Sequence, residues 1–256
     1  MVLRRFGRGL GVSAVIEYFA YTALFPSGGE IGVSQQGAQF RSATKAEQDE
    51  LVSFVSFVLD DAPSSQSKKF SALGSGKAYT DARLVVFTDS TSTACGRGQA
   101  ATGPFYCALD QTVYIDLGFN RQLRRSLGVQ GDFAQAYVIA HEVGYHVQRQ
   151  TGALAGERDP GATGNAVRVE LLADCFAGVW AHDTGQRCLL DSGDISQAIV
   201  AAKASGDDTL QRQGGGRVSP ESWTHGSSEQ RTRWFRRGFD SGNSAACDSF
   251  SVVQLK

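Results

Sequence analysis

The chain has 256 residues, a formal net charge of −1, 41% apolar residues and 20% charged residues. That balance belongs to a globular protein able to bury a real core, and its near-neutrality excludes the basic footprint of a nucleic-acid partner. The length suits one large domain or two small ones, and thirty glycines against five prolines imply many tight turns, not a low-complexity chain.

Arg4, Arg5 and Arg8 precede an apolar run from Leu10 to Phe25, followed by Pro26-Ser27-Gly28-Gly29. A basic flank before an apolar segment has the form of a signal peptide or signal anchor. The run is shorter than the roughly 20 residues of a membrane span. It also carries Glu17, which costs about 2.5–3.5 kcal/mol at mid-membrane. Residues 1–26 are read as an apolar segment and candidate membrane tether, with an apolar helix packed on the domain as the alternative. The Gly/Ser-rich stretch from Ser27 to Gly37 makes residues 27–40 a linker. Residues 41–250 form the main domain, and 251–256 a C-terminal tail.

Within that domain, Thr44 with Glu47 has the spacing of a capping box. The helix it opens runs through Leu51, Val52, Phe54, Val55, Val58 and Leu59 and is expected to stop at Asp60-Asp61-Ala62-Pro63. Ser64 to Lys69 is a polar loop or the start of a second helix. Arg83 to Thr88 and Thr112 to Asp116 are short and β-branched, hence strands. Asp132 caps a helix reaching about Gln150, Gly152 to Gly164 is a loop, and a second apolar helix runs from Asn165 to about His182. Asp194 with Gln197 has capping-box spacing and opens a helix to about Ala204. Gly214-Gly215-Gly216 is a flexible connection, and Ser227 with Gln230 caps a last helix through Trp234 and Phe235. The fold class is α+β, predominantly helical with a small β-sheet.

Cys95 and Cys107 flank the glycine-rich stretch Gly96 to Gly103, a loop that a disulfide can close. Five cysteines leave at least one outside any internal pairing. Disulfides imply an oxidising compartment; the alternative is buried, reduced cysteines in the cytosol.

The chemistry concentrates in His141-Glu142-Val143-Gly144-Tyr145-His146. An H-E-x-x-H helix places two imidazoles on one face to bind zinc, beside a glutamate that acts as general base. The metal lowers the pKa of a bound water to about 7. A third ligand comes from elsewhere, and Glu170-Leu171-Leu172-Ala173-Asp174 supplies an i, i+4 pair on a later helix. Glu170 would bind zinc, and Asp174 would accept the other ring N–H of His141. That order of signals is the arrangement of thermolysin-like zincins. Here, however, Tyr145 stands at i+4. At about 100° per residue, i+5 lies about 140° from His141, so His146 points off the metal face unless a π-bulge intervenes. Tyr145 could coordinate as phenolate, but a reference pKa near 10 makes it a reluctant ligand. A near-miss motif alone favours a structural role for these residues; the E-x-x-x-D helix shifts the balance toward a metal site.

Several longer segments carry a family resemblance. They are Gly103-Pro104-Phe105-Tyr106-Cys107, Gly131-Asp132-Phe133-Ala134-Gln135, Ala173-Asp174-Cys175-Phe176-Ala177-Gly178-Val179-Trp180, Thr224-His225-Gly226-Ser227-Ser228 and Trp234-Phe235-Arg236-Arg237-Gly238-Phe239-Asp240-Ser241-Gly242. Together they resemble the bacterial neutral zinc metallopeptidase family from about Arg41 to Phe250. The resemblance implies a zincin-like domain, Zn2+ as cofactor, a peptide or protein substrate, and a membrane-tethered domain in the periplasm or outside the cell, or a secreted one. It makes His141 and Glu170 the first and third zinc ligands and Glu142 the general base. The family reads H-E-V-G-H-H, so His146 matches its extra histidine and Tyr145 replaces its second ligand. Cys95, Cys107, Cys175 and Cys247 match family positions, with pairing 95–107 and 175–247 expected; Cys188 is left over. His225 could stabilise the oxyanion of a tetrahedral intermediate, or serve as a turn histidine. His182 reads as a surface or helix-end residue, and Arg231, Arg233, Arg236 and Arg237 as a solvated helix face. Two functions follow: a zinc-dependent peptidase impaired by Tyr145, or an inactive homologue acting as a binding or scaffold module at the cell envelope.

Overall fold

The computed structural model describes residues 45–70, 78–119, 123 and 131–255. The expected N-terminal segment, the linker and the Thr44 cap lie outside the described residues. No described helix is long and apolar enough to cross a membrane.

Helix α1, Lys45–Phe70, does not stop at Asp60-Asp61-Ala62-Pro63 as expected. Pro63 has no amide hydrogen to give Leu59, but contacts just before it hold the helix in place. Ala62 is fully buried. Asp61 accepts from the Trp180 indole at 2.9 Å and from both terminal nitrogens of Arg187 at 2.5 and 2.6 Å.

Five strands follow: β1 (Arg83–Phe87), β2 (Ser90–Thr93), β3 (Gly96–Gln99), β4 (Phe105–Cys107) and β5 (Thr112–Asp116). One sheet has the order β1-β5-β4, with Val85 opposite Tyr114 in the parallel pair and Tyr106 opposite Val113 in the antiparallel one. β5 is buried along its whole length, as a central strand covered on both faces should be. β2 and β3 form a separate antiparallel hairpin.

The remaining α-helices whose bounds lie among the described residues are α2 (Asp132–Thr151), α3 (Asn165–Gln186), α4 (Asp194–Ala204), α5 (Asp207–Gln213) and α6 (Ser228–Ser241). Two expected caps differ. Gly131, not Asp132, is the N-cap of α2, and the Phe133 amide donates to Gln197 Oε1 at 3.1 Å. Gly193 precedes α4, and the Asp194 carboxylate instead accepts the Asp191 amide at 2.9 Å. The Ser227–Gln230 capping box of α6 is formed in both directions. α5 was not expected; it directly precedes the glycine connection.

α3 is the centre of the helical layer. Gly178 lies so close to α6 that a Cβ there would collide with the Phe235 carbonyl, and a Cβ on Gly238 would collide with that of Cys175. On its other side α3 meets α2 at Gly144, where a Cβ would stand 2.9 Å from Ala173 Cα.

Disulfides join Cys95 to Cys107 and Cys175 to Cys247, with Cα separations of 6.2 and 5.5 Å. They point to an oxidising, extracytoplasmic compartment. Cys188 is an exposed thiol outside both pairs. The final segment, read as a tail, is packed: Leu255 is buried, and its carbonyl accepts the Trp234 indole at 3.4 Å.

Candidate functional site

On α2, Tyr137, His141 and Tyr145 recur every four residues and share one face. Glu170 and Asp174 do the same on α3, and the Gly144–Ala173 approach brings the two faces together. His141 Nδ1 donates to Asp174 Oδ1 at 2.8 Å. Its Nε2 lies 3.2 Å from the Tyr145 hydroxyl and 3.5 Å from Glu170 Oε2. The Tyr145 hydroxyl in turn donates to Glu170 Oε1.

Asp174 is completely buried and saturated with donors. Besides His141, it accepts the Tyr137 hydroxyl at 2.5 Å and Arg231 Nε and Nη2 at 2.9 and 3.0 Å. Arg231 is therefore no part of a solvated basic face. It is buried, while Arg233, Arg236 and Arg237 are exposed.

The electrostatics follow from burial opposed by neighbouring charge. Burial alone would lower the pKa of His141, but the charge and hydrogen bond of Asp174, helped by Glu170, raise it to about 9. Burial pushes Glu170 up, yet the nearby His225, His141 and Arg231 hold it well below the usual carboxylate range. Burial raises Glu142 to about 8, with Glu170 adding and His141 opposing. Its carboxylate takes a backbone hydrogen bond from Tyr106, and Oε2 has no hydrogen-bond partner among the described residues. Tyr145 is driven well above 10 by burial and by the charges of Glu170 and Glu142, which keeps it a neutral phenol.

His146 sits elsewhere. Its Nε2 donates to the Thr80 carbonyl at 2.7 Å, and Nδ1 accepts the Tyr106 hydroxyl at 2.9 Å, so a neutral ring ties α2 to the sheet. His182 donates from Nδ1 to the Phe239 carbonyl at 2.6 Å and joins α3 to α6. His225 precedes α6, with Nδ1 2.9 Å from Asp207 Oδ1. Asp207 Oδ2 accepts the amides of Thr224, His225 and Gly226 at 2.8, 2.7 and 3.0 Å. Asp207 thus holds both the ring and the backbone of the His225 turn.

A tetrahedral zinc ion with bonds of about 2.0–2.1 Å sets its donors roughly 3.3 Å apart. The 3.2 and 3.5 Å separations around His141 Nε2 fit that edge. The unpartnered Oε2 of buried Glu142 fits a polar group beside the same point. No group of three His, Cys, Asp and Glu side chains among the described residues could hold a metal ion. His141 Nε2 and Glu170 Oε2 thus stand at a separation that fits two zinc donors, while the neutral phenol of Tyr145 lies beside them with its proton given to Glu170.

Three further residues complete the site: Tyr137, Arg231 and Asp207. Tyr137 is one turn before His141. Arg231 lies at i, i+3, i+4 and i+7 with Trp234, Phe235 and Gly238, the buried stripe of α6. Both spacings were readable. Asp207 had no local signal, because its partners are loop amides and a histidine eighteen residues on.

A family model described as "Putative neutral zinc metallopeptidase" matches residues 9–250. The chain is 46% identical over 225 residues to the uncharacterised protein YpfJ of Escherichia coli K12, covering 85% of this chain and 77% of that protein. It is 44% identical over 190 residues to the uncharacterised protein Rv2575 of Mycobacterium tuberculosis, covering 69% and 65%. No solved structure matches the chain significantly.

Proposed function

The chain belongs to the neutral zinc metallopeptidase family, and from that premise we propose that it hydrolyses peptide bonds at the cell envelope, outside the cytoplasm. His141, Glu170 and Tyr145 would hold the zinc. The observation that best supports this reading is the approach of His141 Nε2 and Glu170 Oε2, at 3.5 Å, beside a buried Glu142 with an unpartnered oxygen. When bound, zinc supplies Lewis-acid polarisation of the scissile carbonyl and of the attacking water. Glu142 takes the proton from that water; burial puts its pKa near the working pH, where a general base is most effective. Asp174 keeps the proton of His141 on Nδ1. His225, oriented by Asp207, donates toward the oxyanion of the tetrahedral intermediate. The substrate is a peptide or protein, and the basic, apolar N-terminus supports a membrane tether.

A second reading rests on one contact. The phenolic proton of Tyr145 already satisfies Glu170, which favours an inactive homologue that binds peptides or serves as a scaffold. Zinc content and peptide hydrolysis, measured on protein purified without chelators, separate the two. About one equivalent of zinc, with hydrolysis that Glu142→Gln lowers at least about 100-fold at unchanged zinc content, supports the peptidase. Less than about a tenth of an equivalent after replenishment, with no hydrolysis, leaves the binding module (an occupancy set against one metal per catalytic site).

A further inference from the structure

We propose that Arg231 is a positioning residue: acting through Asp174, it fixes the ring of His141 so that Nε2 is presented to Glu170 and Tyr145. The consequence for metal binding rests on the peptidase reading; the placement of the ring does not.

The geometry is specific. Arg231 is buried on α6, and its Nη1 is anchored on the Ser205 carbonyl at 3.1 Å. Its Nε and Nη2 fork onto the two oxygens of Asp174 at 2.9 and 3.0 Å, fixing the plane of that carboxylate. Tyr137 donates to Oδ1 at 2.5 Å and to nothing else at that carboxylate. An ionised Asp174 so surrounded by donors can only accept, so His141 must donate Nδ1–H at 2.8 Å. Donation from Nδ1 fixes both the orientation of the ring and which nitrogen faces Glu170. A buried ion pair is seldom needed for stability alone, since apolar residues of similar volume often serve as well. Here the charge has a directional task. Lysine could not replace it in full, because an ammonium group is a point charge without the planar fork.

The test uses the full chain with ring-15N-labelled histidine, as parent, Arg231→Met and Arg231→Lys, with His141→Asn to assign the His141 signal. Zn2+ affinity is measured alongside by chelator competition. In the parent, a protected Nδ1–H signal from His141 is expected. In Arg231→Met that signal is lost while those of His146, His182 and His225 persist, and Zn2+ affinity falls about 10–100-fold. Arg231→Lys should fall between the two and carries the test if Arg231→Met does not fold. An unchanged His141 signal in the variant that folds overturns the proposal. A lost signal with unchanged Zn2+ affinity upholds the positioning of the ring and overturns its consequence for metal binding. A parent that binds no Zn2+ sinks the peptidase reading instead, and the ring signal alone then decides the role of Arg231.

Discussion

Residue 145 carries a phenol at the position where an H-E-x-x-H helix has its second imidazole, and the two groups differ in what they need in order to bind a cation. A neutral imidazole offers its lone pair at once, whereas the Tyr145 phenol must lose a proton that burial and two carboxylates hold in place. Tyr145→His is therefore expected to raise Zn2+ affinity by at least about tenfold, by analogy with the size of ligand-sphere effects. Chelator competition measures this, and an unchanged affinity would remove residue 145 from the metal sphere. His141, Tyr145, Glu170 and Asp174 were legible because helical spacing alone places each pair on one face. Arg231 shares the readable stripe of α6 with Trp234, Phe235 and Gly238, but a run of arginines is ordinarily solvated and its partner Asp174 is 57 residues away. His225 was visible as a candidate, but the Asp207 that orients it was not.

Between elements, the site depends on how closely two helices approach. Gly144 lets α2 settle on Ala173, one residue from Asp174. Gly144→Ala must push the helices apart and with them His141 from Glu170. The expected cost is about 1–3 kcal/mol of stability, read by denaturant unfolding, with a drop in Zn2+ affinity. Apolar periodicity made α2 and α3 legible, and capping-box spacing α4 and α6, although only the box of α6 is formed. Periodicity failed at the end of α1, where Asp61 is held by Trp180 and Arg187, 119 and 126 residues further on. It failed again at β2 and β3, whose sequences STST and GRGQ carry no apolar alternation and pair only with each other.

For the molecule as a whole, the two disulfides set the conditions under which it can fold. Denatured without reductant, the chain is expected to titrate one thiol, that of Cys188; more would break the pairing described above. Replacing Cys175 and Cys247 by alanine should cost about 2–5 kcal/mol in the same unfolding measurement, because their bond closes a long stretch of chain. That bond spans 72 residues and begins beside Asp174, and it also imposes an order on biogenesis. As the chain is exported, Cys175 enters the oxidising compartment well before Cys247, and Cys188 arrives in between. The nearest thiol is then the wrong one. A thiol-exchange catalyst would undo any such early pairing, and Cys188→Ser is expected to raise the yield of correctly oxidised protein in cells lacking such a catalyst. The helix that carries half the site is thus locked into place only once Cys247 has followed it, 72 residues later.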